Sequence, residues 1–185
     1  MLGRENRDMK KEMIFAGFGG QGVMLMGRLV AYSGMTEEYH VSWMPSYGPE
    51  MRGGTANCTV IVSEKMIPSP LSSKPDIVVA MNLPSMLKFV DKIKPGGKIY
   101  INESLINQEV EREDIEVIKV PANKIANELG ESRIANMVML GSIICKEEFL
   151  PLNTVKTSLK EVLPPHRHNL LEINNEALDR GCALA

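Results

Sequence analysis

Two glycine-rich corners carry the residues best placed to do chemistry. Gly17-Phe18-Gly19-Gly20-Gln21-Gly22 follows the apolar run Met13–Ala16 and precedes an apolar helical pattern that starts at Val23. This is a strand, a glycine turn and a helix start in succession. Such a turn strips away side chains where backbone N–H groups and a helix N-terminus converge, so an anion or another chain can come close. Gly17, Gly19 and Gly22 also have the spacing and placement of the dinucleotide fingerprint G-x-G-x-x-G. That fingerprint needs a carboxylate at the end of the second strand to hold a ribose. Here Glu37 and Glu38 come before that strand, and Pro45-Ser46-Tyr47 come after it. A stand-alone dinucleotide-dependent oxidoreductase is therefore only the alternative reading. A tight turn that lets helix and strand pack closely, or an N–H nest facing a partner or a diphosphate, accounts for the same residues.

The second corner is Tyr47-Gly48-Pro49-Glu50-Met51-Arg52-Gly53-Gly54. Gly48-Pro49 forces a bend, and Gly53-Gly54 leaves backbone bare before the next strand. Glu50 and Arg52 point the same way if the segment is extended. Taken alone, they read as an ion pair that stiffens a loop. Both corners follow strands. In an open parallel sheet, loops at the carboxyl ends of strands form the ligand crevice, so the two corners are expected on one rim.

Other reactive side chains are scattered. His166 and His168 flank Arg167 in a stretch expected to be extended, with no third ligand for a metal nearby. His40 lies in a strand pattern and reads as structural. Trp43 is a core or interface residue. The sequence holds no Ser/His/Asp set, no glycosidase-like carboxylate pair and no P-loop lysine, so no catalytic residue is assigned to this chain. The three cysteines, Cys58, Cys145 and Cys182, are far apart and form no C-x-x-C. A zinc or iron–sulfur site within this chain alone is therefore not expected. An odd count with no signal peptide suits a reducing cytoplasm.

The elements that must position the corners alternate in type. Strands are expected at residues 13–16, 39–44, 57–63, 76–80, 98–102 and 115–120. Helices are expected at 22–34, 83–91, 121–129, 136–147, 154–163 and 169–181. This pattern predicts an α/β fold: a single Rossmann-like domain with a mostly parallel twisted sheet flanked by helices. Residues 1–11 read as a disordered lead-in and 12–185 as the domain. With 185 residues, one well-buried domain is the expected size. The net charge of -2 and an aromatic content of 5% offer neither a basic field nor stacking platforms for nucleic acid. No apolar run reaches membrane-spanning length. The 13 methionines fall mostly in apolar helical runs and read as core.

Gly-Phe-Gly-Gly-Gln-Gly-Val at 17–23, Ser-Tyr-Gly-Pro-Glu-Met-Arg-Gly-Gly at 46–54 and Ala-Asn-Met-Val-Met-Leu-Gly at 135–141 resemble the gamma subunit of 2-oxoacid:ferredoxin oxidoreductases. The likeness covers residues 12–181. The resemblance implies one subunit of a complex that oxidatively decarboxylates a 2-oxoacid, forms an acyl-CoA and reduces ferredoxin. It implies alpha and beta partners, with or without a ferredoxin-like delta subunit. In that family thiamine diphosphate with Mg, and the 4Fe-4S clusters, are held mainly by other subunits. The form of the second corner is closer to the 2-oxoglutarate and branched-chain 2-oxoacid enzymes than to the pyruvate ones. The resemblance further implies that Gly17, Gly19, Gly20, Gln21, Gly22, Tyr47, Gly48, Glu50, Arg52, Gly53 and Gly54 face a cofactor or a partner subunit. A chain built for a hetero-complex is expected to leave an apolar patch that pairs as a homodimer when the chain is isolated.

Overall fold

The computed structural model describes residues 9–46 and 56–185. Tyr47, Gly48, Glu50, Arg52, Gly53 and Gly54 lie outside the described residues. The expected alternation of elements is present. In chain order the strands are β1 (Lys10–Gly17), β2 (His40–Ser46), β3 (Ala56–Ser63), β4 (Ile77–Ala80), β5 (Lys98–Asn102) and β6 (Glu116–Val120). The helices are α1 (Val23–Thr36), α2 (Leu83–Phe89), α3 (Ala122–Glu128), α4 (Ala135–Glu147), α5 (Leu152–Val162) and α6 (Leu171–Cys182).

The six strands lie in the order β2-β3-β1-β4-β5-β6. The pairs β1–β4, β4–β5 and β5–β6 are parallel, whereas β3 runs antiparallel to both β1 and β2. The sheet is thus mostly parallel, as expected. The reversal at β3 follows from connectivity, because the nine residues 47–55 between β2 and β3 are fewer than a parallel crossover needs. β1 is longer than its expected span. It begins at Lys10, opposite Ser63, so Lys10 and Lys11 belong to the sheet and not to a lead-in.

Apolar alternation in β1 splits the core in two. Met13 and Phe15 join the larger cluster, which α1, α3, α4, α5 and α6 cover. Ile14 and Ala16 join the smaller one, with Met86 and Phe89 of α2 and Ile93, Ile106 and Ile115. Continuous apolar runs such as Ile77–Ala80 are buried on both faces, which is why they carry no polar alternation.

Helix α4 is buried along nearly its whole length, from Ala135 to Ile144. It is held from two sides. Against α6 the backbones touch: a Cβ added to Gly181 would sit 1.9 Å from the Val138 carbonyl oxygen, and one added to Gly141 would sit 2.1 Å from that of Leu178. At its carboxyl end, the Glu147 side chain is only 2% exposed. It accepts hydrogen bonds from Lys11 Nζ at 3.0 Å, Lys98 Nζ at 2.8 Å and Tyr100 Oη at 2.8 Å. These partners come from the amino ends of β1 and β5, so the pair of lysines fastens α4 to that edge of the sheet. Burial pushes the Glu147 carboxyl up, but the bonds from Lys98, Lys11 and Tyr100 outweigh it and leave the group below its ordinary value. Burial, then the Glu147 charge, pushes the Tyr100 hydroxyl up, so it stays a donor.

The two remaining departures from the sequence expectations lie among polar residues. His166 and His168 sit in a 3-10 turn, Pro165–Leu170, and not in an extended stretch; His168 Nε2 lies 3.0 Å from the Leu163 carbonyl oxygen. Cys145 and Cys182, 37 residues apart, form a disulfide. Their separation in sequence hid a contact made by the α4–α6 crossing.

Gly181→Ala places a methyl group inside the backbone of α4, and is expected to lower the unfolding free energy by about 3 kcal/mol in urea titration. Glu147→Gln leaves two lysines without their shared partner and is expected to cost about 2 kcal/mol near pH 7, since both lysines keep part of their hydration. Because the folded Glu147 carboxyl titrates below its unfolded value of about 4.5, its contribution is full above that pH and disappears as pH falls through the folded value. The stability gap between parent and variant should therefore close under acid, and a gap that widens would contradict the assignment.

Candidate functional site

The carboxyl ends of β1, β4, β5 and β6 all lie on one edge of the sheet. The registers Ala16↔Ala80, Ala80↔Ile101 and Asn102↔Val120 fix this. The same edge receives the end of β2 and the start of β3, through Ser46↔Asn57 and Gly17↔Ala56. The two residues on either side of the second corner, Ser46 and Ala56, are therefore at the rim where the first corner stands.

Gln21 shapes the first corner. Its Oε1 accepts the Phe18 N–H at 2.7 Å and the Asn82 Nδ2 at 2.8 Å, and its Nε2 donates to the Met81 carbonyl at 3.1 Å. Asn82 is 4% exposed, and its Oδ1 caps α2 by accepting the Ser85 N–H at 2.9 Å. One carboxamide thus clasps the turn after β1 to the turn after β4. These are neighbouring parallel strands whose helices cover opposite faces, which is the place where open α/β sheets keep their crevice.

The glycines have different jobs. Gly22 has φ 72 and caps α1; a Cβ there would lie 2.3 Å from Nδ2 of Asn136 in the first turn of α4. Asn136 Nδ2 donates to the Gly22 carbonyl at 3.4 Å. Gly17 is tight against Gln21, Val23 and Met81. Gly19 and Gly20 have nothing within 4 Å of a Cβ position among the described residues, and Gly20 has φ 95. They form the open apex of the turn, with Phe18 beside them 39% exposed. The first turn of α1 carries no acidic side chain, so its positive end keeps its pull on an anion. The sequence sets Ala135–Gly141 apart as a segment but carries no sign of the Gly22–Asn136 contact.

Among the described residues, no carboxylate stands at the end of β2 for the dinucleotide alternative. Glu37 and Glu38 stand at the far end of α1, about 20 Å along a 14-residue helix, and Glu37 accepts a hydrogen bond from the Thr154 hydroxyl. Among the described residues no group of three or more His, Cys, Asp or Glu side chains is placed to hold a metal ion. The one free cysteine among them, Cys58, is buried, and burial pushes its thiol up to about 12. These residues do not fit an iron–sulfur cluster. No described helix is long and apolar enough to cross a membrane. Trp43 packs half-buried against Gly27 on α1, and His40 is exposed at the start of β2.

Comparison with known proteins adds relatives to this geometry. A family model described as pyruvate ferredoxin/flavodoxin oxidoreductase matches residues 12–184. Ketoisovalerate oxidoreductase subunit VorA from Methanothermobacter marburgensis is 44% identical over 126 residues, which make up 68% of this chain and 26% of that protein. The chain thus spans about a quarter of that relative's length. The 2-oxoglutarate synthase subunit KorC of the same organism is 34% identical over 164 residues, covering 85% of this chain and 88% of the relative. A solved 2-oxoglutarate:ferredoxin oxidoreductase from Magnetococcus marinus, with 2-oxoglutarate, coenzyme A and succinyl-CoA bound, is similar with a TM-score of 0.87 at 26% identity. That likeness covers 97% of this chain and 31% of the other.

Gln21→Ala removes the acceptor shared by the Phe18 N–H and Asn82. Amide exchange at Phe18 is expected to quicken at least tenfold, equivalent to about 1.4 kcal/mol, while the far edge of the sheet is unaffected. Unchanged exchange at Phe18 would show that the carboxamide does not hold the turn.

Proposed function

The chain belongs to the pyruvate ferredoxin/flavodoxin oxidoreductase family, and from that premise we propose that it serves as the gamma subunit of a 2-oxoacid:ferredoxin oxidoreductase. In this reading the complex decarboxylates a 2-oxoacid, passes the electrons to ferredoxin and releases an acyl-CoA. The gamma chain is inactive alone. Alpha and beta subunits, with or without a ferredoxin-like delta subunit, hold thiamine diphosphate, Mg and the 4Fe-4S clusters. The cytoplasm is the compartment this assignment implies. Thiamine diphosphate supplies the carbanion-stabilising chemistry when bound in its own subunits; this chain contributes a docking edge.

The observation that carries the reading is that the glycine turn and the start of α4 meet on one rim, to which the described residues flanking the second corner also come. Gly17–Gly22 and the start of α4 touch there, and Ser46 and Ala56 bring the ends of the second corner to it. Backbone N–H groups at Gly19 and Gly20 and the start of α1 suit an anionic group or a partner's carbonyls. Arg52 contacts a CoA phosphate or a partner carboxylate, because its planar fork fits both, and Glu50 orients it. Tyr47, Gly48, Gly53 and Gly54 let that loop lie close against the neighbour. Names of the relatives support a 2-oxoglutarate or branched-chain substrate over pyruvate: one is a 2-oxoglutarate synthase subunit and another a ketoisovalerate oxidoreductase subunit. Isolated, the chain pairs as a twofold dimer through the surface its partners would cover.

Co-expression with alpha and beta chains should yield one complex with ferredoxin-reducing activity, and none from gamma alone. In that complex Arg52→Ala is expected to weaken CoA binding about tenfold, as a lost charge-assisted hydrogen bond does. Unaltered CoA affinity, assembly and turnover together would refute the role given to Arg52. A melting shift of the isolated chain with nicotinamide dinucleotides but not with CoA would favour the dinucleotide reading.

A further inference from the structure

The functional reading leaves one pair of reactive groups unused. Cys145 in the last turn of α4 and Cys182 at the end of α6 are joined, with their Cα atoms 5.2 Å apart. The bond is not what brings them together. Gly141, one turn before Cys145, and Gly181, directly before Cys182, already let the two helix backbones touch. That crossing keeps the sulfurs within bonding reach whether or not they are bonded. The pair can therefore open and close without refolding.

The bond also lies beside a surface cavity. Both cysteines are half-buried, and Cys145 lines a surface cavity of about 570 Å³ with Tyr39, Phe149 and Leu150. A small thiol or disulfide can approach from there. Cys58 offers the opposite case within the same chain. It is 0% exposed, and its Sγ lies 3.5 Å from the Val23 carbonyl oxygen, to which it donates.

We propose that Cys145 and Cys182 are a reversible dithiol–disulfide site whose exchange partners are low-molecular-weight disulfides and dithiols, and that the oxidised form clamps α6 to α4. Oxidation starts when the Cys145 thiolate attacks one sulfur of an external disulfide such as oxidised glutathione. One thiolate leaves, and a mixed disulfide remains on Cys145. The Cys182 thiolate then attacks the Cys145 sulfur and expels the second thiolate. The two protein thiols lose two protons and two electrons, and the external disulfide ends as two thiols. A dithiol reductant reverses both steps. The clamp matters because α6 supplies Ala177 and Leu178 to the main core and reaches α3 through Arg180–Glu128 and α5 through Lys156–Asp179.

The test uses the full chain. It is incubated near pH 8 with dithiothreitol or with oxidised glutathione, alkylated with iodoacetamide without denaturant, and mapped by peptide mass. After reduction, Cys145 and Cys182 should be labelled and Cys58 spared; after oxidation, a linked 145–182 peptide should return. The reduced form should melt about 10 °C lower, as expected for a bond closing a loop of this length in a domain of this size. Cys182→Ser and Cys145→Ser should each melt like the reduced form and lose the redox-dependent shift. If the serine variants do not fold, labelling and melting of the parent chain still decide the matter. The proposal is overturned if dithiothreitol leaves the pair linked, if oxidised glutathione does not relink it, or if both states melt at the same temperature.

Discussion

The account depends on a contact with no room in it. Where Gly22 meets Asn136, even a single methyl group would fall 2.3 Å from the amide nitrogen. This closeness sets where α1 begins relative to α4, and hence how the turn after β1 stands on the sheet. Gln21, the residue before, then ties that turn to Met81 and Asn82 at the end of β4. Neutral carboxamides do this work. They have no charge to desolvate, so the apex at Gly19 and Gly20 stays open without a counter-ion of its own.

The two edges of the sheet are built on different principles. At the amino edge, Glu147 draws Lys11, Lys98 and Tyr100 into a charged knot, and between the two edges α4 and α6 meet backbone to backbone. These interactions hold the long buried helix in place. At the carboxyl edge the contacts that shape the glycine turn are neutral, through Gln21, Asn82 and Asn136. α4 spans both: Asn136 touches the glycine turn, and Glu147 is fastened at the opposite end. Firm attachment at the amino edge and the tight Gly22–Asn136 contact at the carboxyl edge together let the rim present a fixed face to a neighbour.

Much of this was legible in the sequence because each element has a local cause. The β-branched run at Thr59–Val62 makes a strand, and Pro84 suits the first turn of α2, whereas the cap from Asn82 is seen only in the structure. What was not legible depends on residues far apart in the chain. The antiparallel sense of β3 follows from the shortness of the connection before it and not from its own composition. The Gly22–Asn136 contact, the Glu147 knot and the Cys145–Cys182 bond join positions 114, 136 and 37 residues apart. Only the last had a signal in the sequence, and a weak one: glycines at 141 and 181, which let the α4 and α6 backbones pass close by. The rim of the first corner was legible from its spacing, but the clasp that shapes it was not, since Gln21 looks like any polar turn residue.

The central claim is that the carboxyl edge is the working face, and amide hydrogen exchange tests it most directly. Exchange is measured on the isolated chain and on the chain assembled with its alpha and beta partners. The account predicts new protection in the assembled state at Phe18–Gly22 and at residues 47–55. It predicts little change around Lys11, Lys98 and Glu147. Protection gained at the amino edge, with the glycine turn exchanging as freely as before, would contradict it.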